Sequence, residues 1–409
     1  MSPDRELQPT KRPDLAEERA AFEEFIVGQD QAVASFARLV ARIRTGIRSS
    51  RPGPIDVKFL AGPSGVGKTA MVYRFAEVLA ETDPDLDQGN PREKVIRINC
   101  GEYQSSHEIA KLIGAPPGYR DSDNPNAKAE SGLKPVFSPE NLDASRIYLR
   151  NKDGSEDSVI VVLVDEAEKA SKSFHQMFLS ILDAGHLVLG NNTTVSFGNA
   201  VVFYTSNLGN KAIDDLRDTI KNRFNPQDDL SVVFLEAFDK DELVQGSKRI
   251  VKEAFIKQFT PEFRGRIREL IVFNLLEKEQ LGEIVGVMVR EVAEDLYQSL
   301  AINSIINISE DAICWIIEHA YNPSEGARPL ENMIDVCVKE QILLIASEDP
   351  DAFNNKSIYV DLSEDGADLE ILTGDENEVL EAENRKANAA ILDYQDVDTM
   401  QDSPEDYGL

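Results

Sequence analysis

Apolar positions along the chain follow two rhythms. From Leu15 the spacing is helical, with Ala21, Phe22, Phe25 and Ile26, and it breaks at Val27, Gly28 and Gln29. Asp30 is suited to cap the next helix, whose Val33, Phe36, Leu39, Val40, Ile43 and Ile47 fall on one face before Pro52, Gly53 and Pro54 end it. Strand-like, largely apolar runs follow at 57–60, 95–98, 159–164, 201–205 and 270–273. Helical patterns at 68–79, 107–113 and 173–182 alternate with them. Strands apolar on both faces need cover on both sides, so the pattern predicts an α/β fold with a parallel sheet flanked by helices. After Phe273 the rhythm is helical near 277–299, 309–319 and 328–346, followed by a strand pair at 357–362 and 369–372 with Asp365 and Gly366 at the turn.

This divides the chain into a disordered leader (1–14), a large α/β domain (15–273), a smaller helical domain ending in the strand pair (274–374), and an acidic, largely disordered tail (375–409). Residues 120–158 read as an irregular insertion, in which Ser138 and Pro139 mark a helix start.

Charge narrows the function. The 409 residues carry a formal net charge of −30, which argues against nucleic acid and anionic membranes as partners, since both need a basic footprint. Cys100, Cys314 and Cys337 are far apart in apolar runs, a pattern of buried thiols in a reducing compartment and not of a zinc site or disulfide framework. The first twenty residues hold no apolar signal core and no run approaches a membrane span, so the expected location is cytoplasmic.

The chemistry begins at Gly62, Pro63, Ser64, Gly65, Val66, Gly67, Lys68 and Thr69, which match the phosphate-binding pattern G-x-x-x-x-G-K-[ST] between a strand and a helix. Glycines let backbone N–H groups converge on phosphate, and the helix N-terminus, with Ala70 in its first turn, adds its positive end. Lys68 is placed to reach the β- and γ-phosphates and Thr69 to ligate magnesium. The strand at 159–164 ends in Asp165 and Glu166. There one carboxylate can hold magnesium and the next can polarise an attacking water.

These residues resemble the AAA+ ATPases, and most closely the second ATPase module of the Clp unfoldases and disaggregases. The resemblance runs through Asp165, Glu166, Ala167, Glu168 and Lys169, then Leu182, Asp183, Ala184 and Gly185, then Thr205, Ser206 and Asn207. It continues through Pro261, Glu262, Phe263, Arg264, Gly265 and Arg266 to Gly326, Ala327 and Arg328. It implies that Glu166 activates water, that Asn207 is the sensor beside it, and that Arg328 is the sensor arginine of a helical lid. It implies further that Arg266 is a finger reaching a neighbouring subunit's nucleotide, and that Val27 lies against the adenine. A finger acting in trans implies a homo-oligomer, as similar proteins form hexamers. The function implied is an ATP-driven chaperone or unfoldase that moves protein substrates, with ATP and Mg2+ bound. The alternative is a nucleotide-dependent assembly switch that regulates an effector protein.

Two departures matter. The segment 112–119 resembles the approach to a substrate-gripping pore loop, with Tyr119 as the aromatic grip, but a polar insertion follows it. Asn222, Arg223 and Phe224 stand where peptidase-feeding relatives carry a glycine-containing docking loop. This argues against the usual peptidase partner. The chain also lacks the relatives' first ATPase module, which implies a single ring.

Overall fold

In the computed structural model the described residues are 14–46, 52–81, 89–114, 134–150, 156–221, 232–300, 302, 304–322, 325–349, 353, 356–363 and 365–374. Tyr119, the leader before Asp14, the tail after Gly374 and the 222–224 segment lie outside them. They divide into two units, one reaching Glu277 and taking in Gly326, the other comprising Lys278–Asn322 and the chain from Ala327.

In the first unit, strands β1 (Asp56–Ala61), β2 (Ile96–Asn99), β4 (Glu156–Asp165), β7 (Ala200–Ser206) and β8 (Glu269–Val272) form a parallel sheet in the order β2-β4-β7-β1-β8. Successive residues feed opposite cores. Ile160, Val162 and Val164 pack with Phe59, Tyr204 and Phe174, while Val159, Val161 and Leu163 pack with Phe36, Phe75 and Phe203. That two-sided burial is why residues 159–164 of β4 read as an unbroken apolar run. The second of these cores includes helices α1 (Leu15–Glu23), α2 (Asp30–Arg44) and α3 (Lys68–Ala80), with Phe36 stacked on Phe203 at 5.0 Å. Asp30 is the first residue of α2 and Gln29 is the cap, because Gln29 is the residue with non-helical backbone.

The described part of the 120–158 insertion, residues 134–150 and 156–158, is more regular than its composition suggests. Helix Pro139–Ala144 is capped by Ser138, and β3 (Arg146–Arg150) runs antiparallel along the first half of β4. Ile147 and Leu149 point into the core and are fully buried, or nearly so. Only two apolar residues face inward in this short strand, so its sequence signal drowns in the polar surroundings. The strands of the hairpin β5 (His186–Val188) and β6 (Thr194–Ser196) are shorter still.

The second unit contains helices Lys278–Leu300, Glu310–Ala320, Arg328–Ile334 and Glu340–Glu348, and β9 (Ile306–Ile308), β10 (Ser357–Leu362) and β11 (Leu369–Gly374). The expected strand pair is the antiparallel pair β10–β11, and β9 joins β10 in parallel to make three strands. The helical run expected at 328–346 is interrupted by a π turn, Asp335–Lys339. It holds neither proline nor glycine, so composition gives no sign of it. Cys100 is buried, as expected, but Cys314 is exposed: helix Glu310–Ala320 buries Ala312 and Ile316, which turns Cys314 outward.

Candidate functional site

Loop 62–69 leaves β1 and enters α3 through three glycines with positive φ: Gly62 (153°), Gly65 (69°) and Gly67 (91°). Gly62 also sits where a side chain would not fit, since a Cβ there would stand 2.8 Å from the carbonyl oxygen of Phe273. Glycine at these positions therefore follows from backbone geometry and close approach. Thr69 and Ala70 lie in the first turn of α3, half-buried and exposed respectively.

Lys68 is buried within this cradle. Its Nζ donates to the carbonyl oxygens of Gly62 (2.9 Å) and Pro63, and to Oδ1 of Asn207 (2.9 Å). A cation is thus aimed back over the loop, where a phosphate chain would meet it. Hard oxygen donors, the Thr69 hydroxyl and the Asp165 carboxylate, suit magnesium. The residues present fit MgATP.

Asp165 closes β4 beside β7, and the two strands share two contacts made by one hydroxyl. Thr205 Oγ1 donates to Asp165 Oδ1 and accepts the backbone N–H of Glu166 at 3.2 Å. That second bond holds a strained residue, because Glu166 is in the left-handed region at φ 55°. Arg97, on β2, donates from Nη2 (2.6 Å) and Nε (3.2 Å) to Asp165 Oδ2. Glu166 Oε2 accepts from Lys169 at 2.8 Å. Glu168, one residue earlier in the same turn, accepts the backbone N–H of Asn207 at 3.1 Å. Burial, followed by the charges of Glu168, Asp165 and Glu166, pushes the neighbouring Cys100 thiol up, so it stays protonated and inert.

At the head of α2, Gln29 exchanges a pair of hydrogen bonds with the backbone of Asn274 (3.1 and 2.9 Å) and donates to the carbonyl of Val66 at 3.4 Å. Val27 lies two residues before it, in the break between α1 and α2. Gly326, with φ 68°, lies so close to the phosphate loop that a Cβ would stand 2.5 Å from the Ser64 carbonyl oxygen. Arg328 opens helix Arg328–Ile334 in the second unit and is exposed.

Arg266 is elsewhere. The backbone N–H of Arg268 bonds the carbonyl of Val57 at 2.9 Å, so this segment meets β1 at the end opposite the phosphate loop. The strand from Val57 to Gly62 spans about 17 Å at roughly 3.3 Å per residue, beyond the ~7 Å reach of an arginine side chain. Arg266 is exposed there and pairs with Asp183, which raises its pKa further. It borders a cavity of about 690 Å³ together with Pro52, Leu182 and Arg268.

Sequence reading placed Lys68, Asp165, Glu166 and Asn207 in the site, and the fold brings these four together. It did not single out Gln29, Arg97, Thr205 or Glu168 as members. Their partners lie between 37 and 245 residues away. The fold and this loop define a P-loop nucleotide-binding protein.

Residues 54–131 and 141–270 match the family model described as AAA domain (Cdc48 subfamily), and residues 276–349 match the C-terminal, D2-small domain of ClpB protein. The chain belongs to the AAA ATPase family. Among curated relatives it is 30% identical over 309 residues to a probable chaperone protein ClpB 1 of Chlorobaculum tepidum, covering 76% of this chain and 59% of the relative. It is 31% identical over 320 residues to the chloroplastic chaperone protein ClpD of Arabidopsis thaliana, covering 78% and 29%. To the ClpC ATP-binding subunit of an ATP-dependent Clp protease in Staphylococcus aureus it is 30% identical over 319 residues, covering 78% and 33%. The chain therefore spans from under a third to about three fifths of these relatives. Among solved structures, Hsp104 in a closed state with ATPγS and FITC casein superposes with a TM-score of 0.62 over 90% of this chain and 53% of that one. At 22% identity that likeness speaks to the fold alone. Among the described residues no helix is long and apolar enough to cross a membrane.

Proposed function

We propose that this chain hydrolyses MgATP at loop 62–69 and, assembled into a homo-oligomeric ring, uses the energy to move protein substrates. The observation that carries the hydrolytic part is the convergence of Lys68, Asn207, Asp165 and Glu166 at one end of the sheet. Bound magnesium would neutralise charge on the β- and γ-phosphates. In this reading Lys68 and the loop amides bind the phosphates, and Thr69 and Asp165 supply the metal's oxygen ligands. Glu166 takes the proton of the attacking water, and Asn207 orients that water without adding charge.

The distance between Arg266 and its own subunit's loop favours a role in trans. On this reading Arg266 serves a neighbour's nucleotide, each ATP site lies at a subunit boundary, and Arg328 acts from the lid in cis. A guanidinium suits both roles, being always charged and planar. The names of the relatives, chaperones and a protease's ATP-binding subunit, support protein substrates as the cargo. Tyr119 is the residue proposed to grip them.

The test mixes two variants. Lys68→Ala lacks a binding site but keeps its finger, and Arg266→Ala keeps its site but lacks the finger. Each alone should be inactive, and mixed rings should recover ATP turnover at sites that pair an intact loop with an intact Arg266. No recovery, with assembly intact, defeats the trans assignment. ATP turnover without unfolding of any tested polypeptide would instead favour the assembly switch.

A further inference from the structure

Glu168 lies beside the site, and its two carboxylate oxygens differ in what they meet. It lies in the turn Ala167–Lys169, directly after Glu166. One carboxylate oxygen, Oε1, accepts the Asn207 N–H at 3.1 Å. The other, Oε2, is buried and has no partner among the described residues. Burying an unpaired carboxylate oxygen is destabilising, a cost set against the bond that Oε1 gives the Asn207 N–H. The turn itself is fixed from the far side, because Gln258 Nε2 donates to the Glu168 carbonyl at 3.1 Å.

What Glu168 holds is the sensor. Asn207 is the first residue past β7, and the pairing of β7 with β1 and with β4 stops before it, at Ser206 and Tyr204. With the strand ladder ended, the Asn207 N–H takes Glu168 as its acceptor. The same residue's side-chain Oδ1 must stand 2.9 Å from Lys68 Nζ. An asparagine side chain has only two rotatable bonds, so fixing its backbone fixes most of where its amide can point.

We infer that Glu168 is a positioning residue for hydrolysis: its carboxylate clamps the Asn207 backbone so that the Asn207 amide is held on Lys68 and the site of the γ-phosphate. The inference rests on the reading that Asn207 acts in hydrolysis. It makes Glu168 the link between the turn that presents Glu166 and the sensor that faces it.

The experiment is a double-mutant cycle on the full chain, with ATP turnover, affinity for a non-hydrolysable ATP analogue and thermal stability measured for each variant. Glu168→Ala should lower kcat about tenfold while leaving nucleotide affinity within about twofold. Glu168→Gln should restore most of kcat, because an amide oxygen still accepts the N–H. Glu168→Leu fills the space without an acceptor, should behave like the alanine variant, and serves in its place if that variant does not fold. In an Asn207→Ala background, Glu168→Ala should change turnover little further. A full, additive loss in that background overturns the inference, as does a glutamine variant no better than alanine. If Asn207→Ala itself turns over ATP at the wild-type rate, the failure lies in the reading of Asn207 and not in its coupling to Glu168.

Discussion

The ammonium of Lys68 and the amide oxygen of Asn207 stand 2.9 Å apart, joining the phosphate loop to the end of β7 across 139 residues of chain. One partner is charged and anchored in the loop; the other is neutral and lies beside the turn that carries Glu166. The two should fail differently. Lys68→Ala removes a charge-assisted contact to phosphate and is expected to weaken ATP binding by about a hundredfold. Asn207→Ala is expected to leave binding within a few fold and to lower kcat by about 10². Equilibrium nucleotide binding and steady-state turnover, measured on the same preparations, separate the two outcomes.

Thr205 is buried, and one hydroxyl serves both Asp165 and the strained backbone of Glu166. Thr205→Val keeps the shape and deletes the hydroxyl. It leaves a buried carboxylate oxygen and a backbone N–H short of partners, an expected loss of about 1–3 kcal/mol in stability. Turnover should fall with it, because Glu166 then loses the bond to its backbone N–H, one of those that hold it in the left-handed region. Thr205→Ser should recover most of both, as read by thermal denaturation and ATPase rate.

Gly326 should tolerate no side chain. A Cβ would stand 2.5 Å from the Ser64 carbonyl oxygen and 2.7 Å from that of Gly65, both backbone atoms of the phosphate loop. The left-handed backbone adds a penalty of about 1 kcal/mol for any L-residue. Gly326→Ala is therefore expected to weaken ATP binding at least tenfold while Gly366→Ala does not. A Cβ at Gly366, whose φ is likewise 68°, meets nothing within 4 Å.

His175 gives the fold a pH dependence. It packs edge-on against Phe259 and Phe263, and burial lowers its pKa to about 4. The unfolded chain binds that proton near pH 6.5 and the folded chain does not, so between pH 6.5 and 4 the unfolded state carries more protons. Stability from this residue is complete above pH 6.5 and falls as the pH drops towards 4, by ~3 kcal/mol at most. His175→Phe should flatten the fall in Tm over that window relative to wild type. An unchanged slope would show that other groups set the acid sensitivity.

Several features were fixed by local sequence. The glycines at 62, 65 and 67 have φ values that side chains resist, so the loop is legible residue by residue. The central strands β1, β4 and β7 are legible because they are buried on both faces, and β10–β11 because alternation and a turn dipeptide bracket it. Strands β5, β6 and β9 were not, being too short for periodicity to rise above their polar neighbours, and β3 is hidden by the arginines at both its ends.

The site's supporting shell depended on tertiary structure alone. The order β2-β4-β7-β1-β8 sets Arg97 and Thr205 on either side of Asp165, although β2 and β7 are far apart in sequence. The same order leaves the Asn207 N–H at the end of a ladder, where Glu168 can take it. Sequence names the groups that can bind phosphate and carry a proton, because those demands fall on residue type and local backbone. Which hydroxyl, guanidinium or carboxylate then holds them is decided by strand neighbours, since hydrogen bonds are satisfied in space and not along the chain.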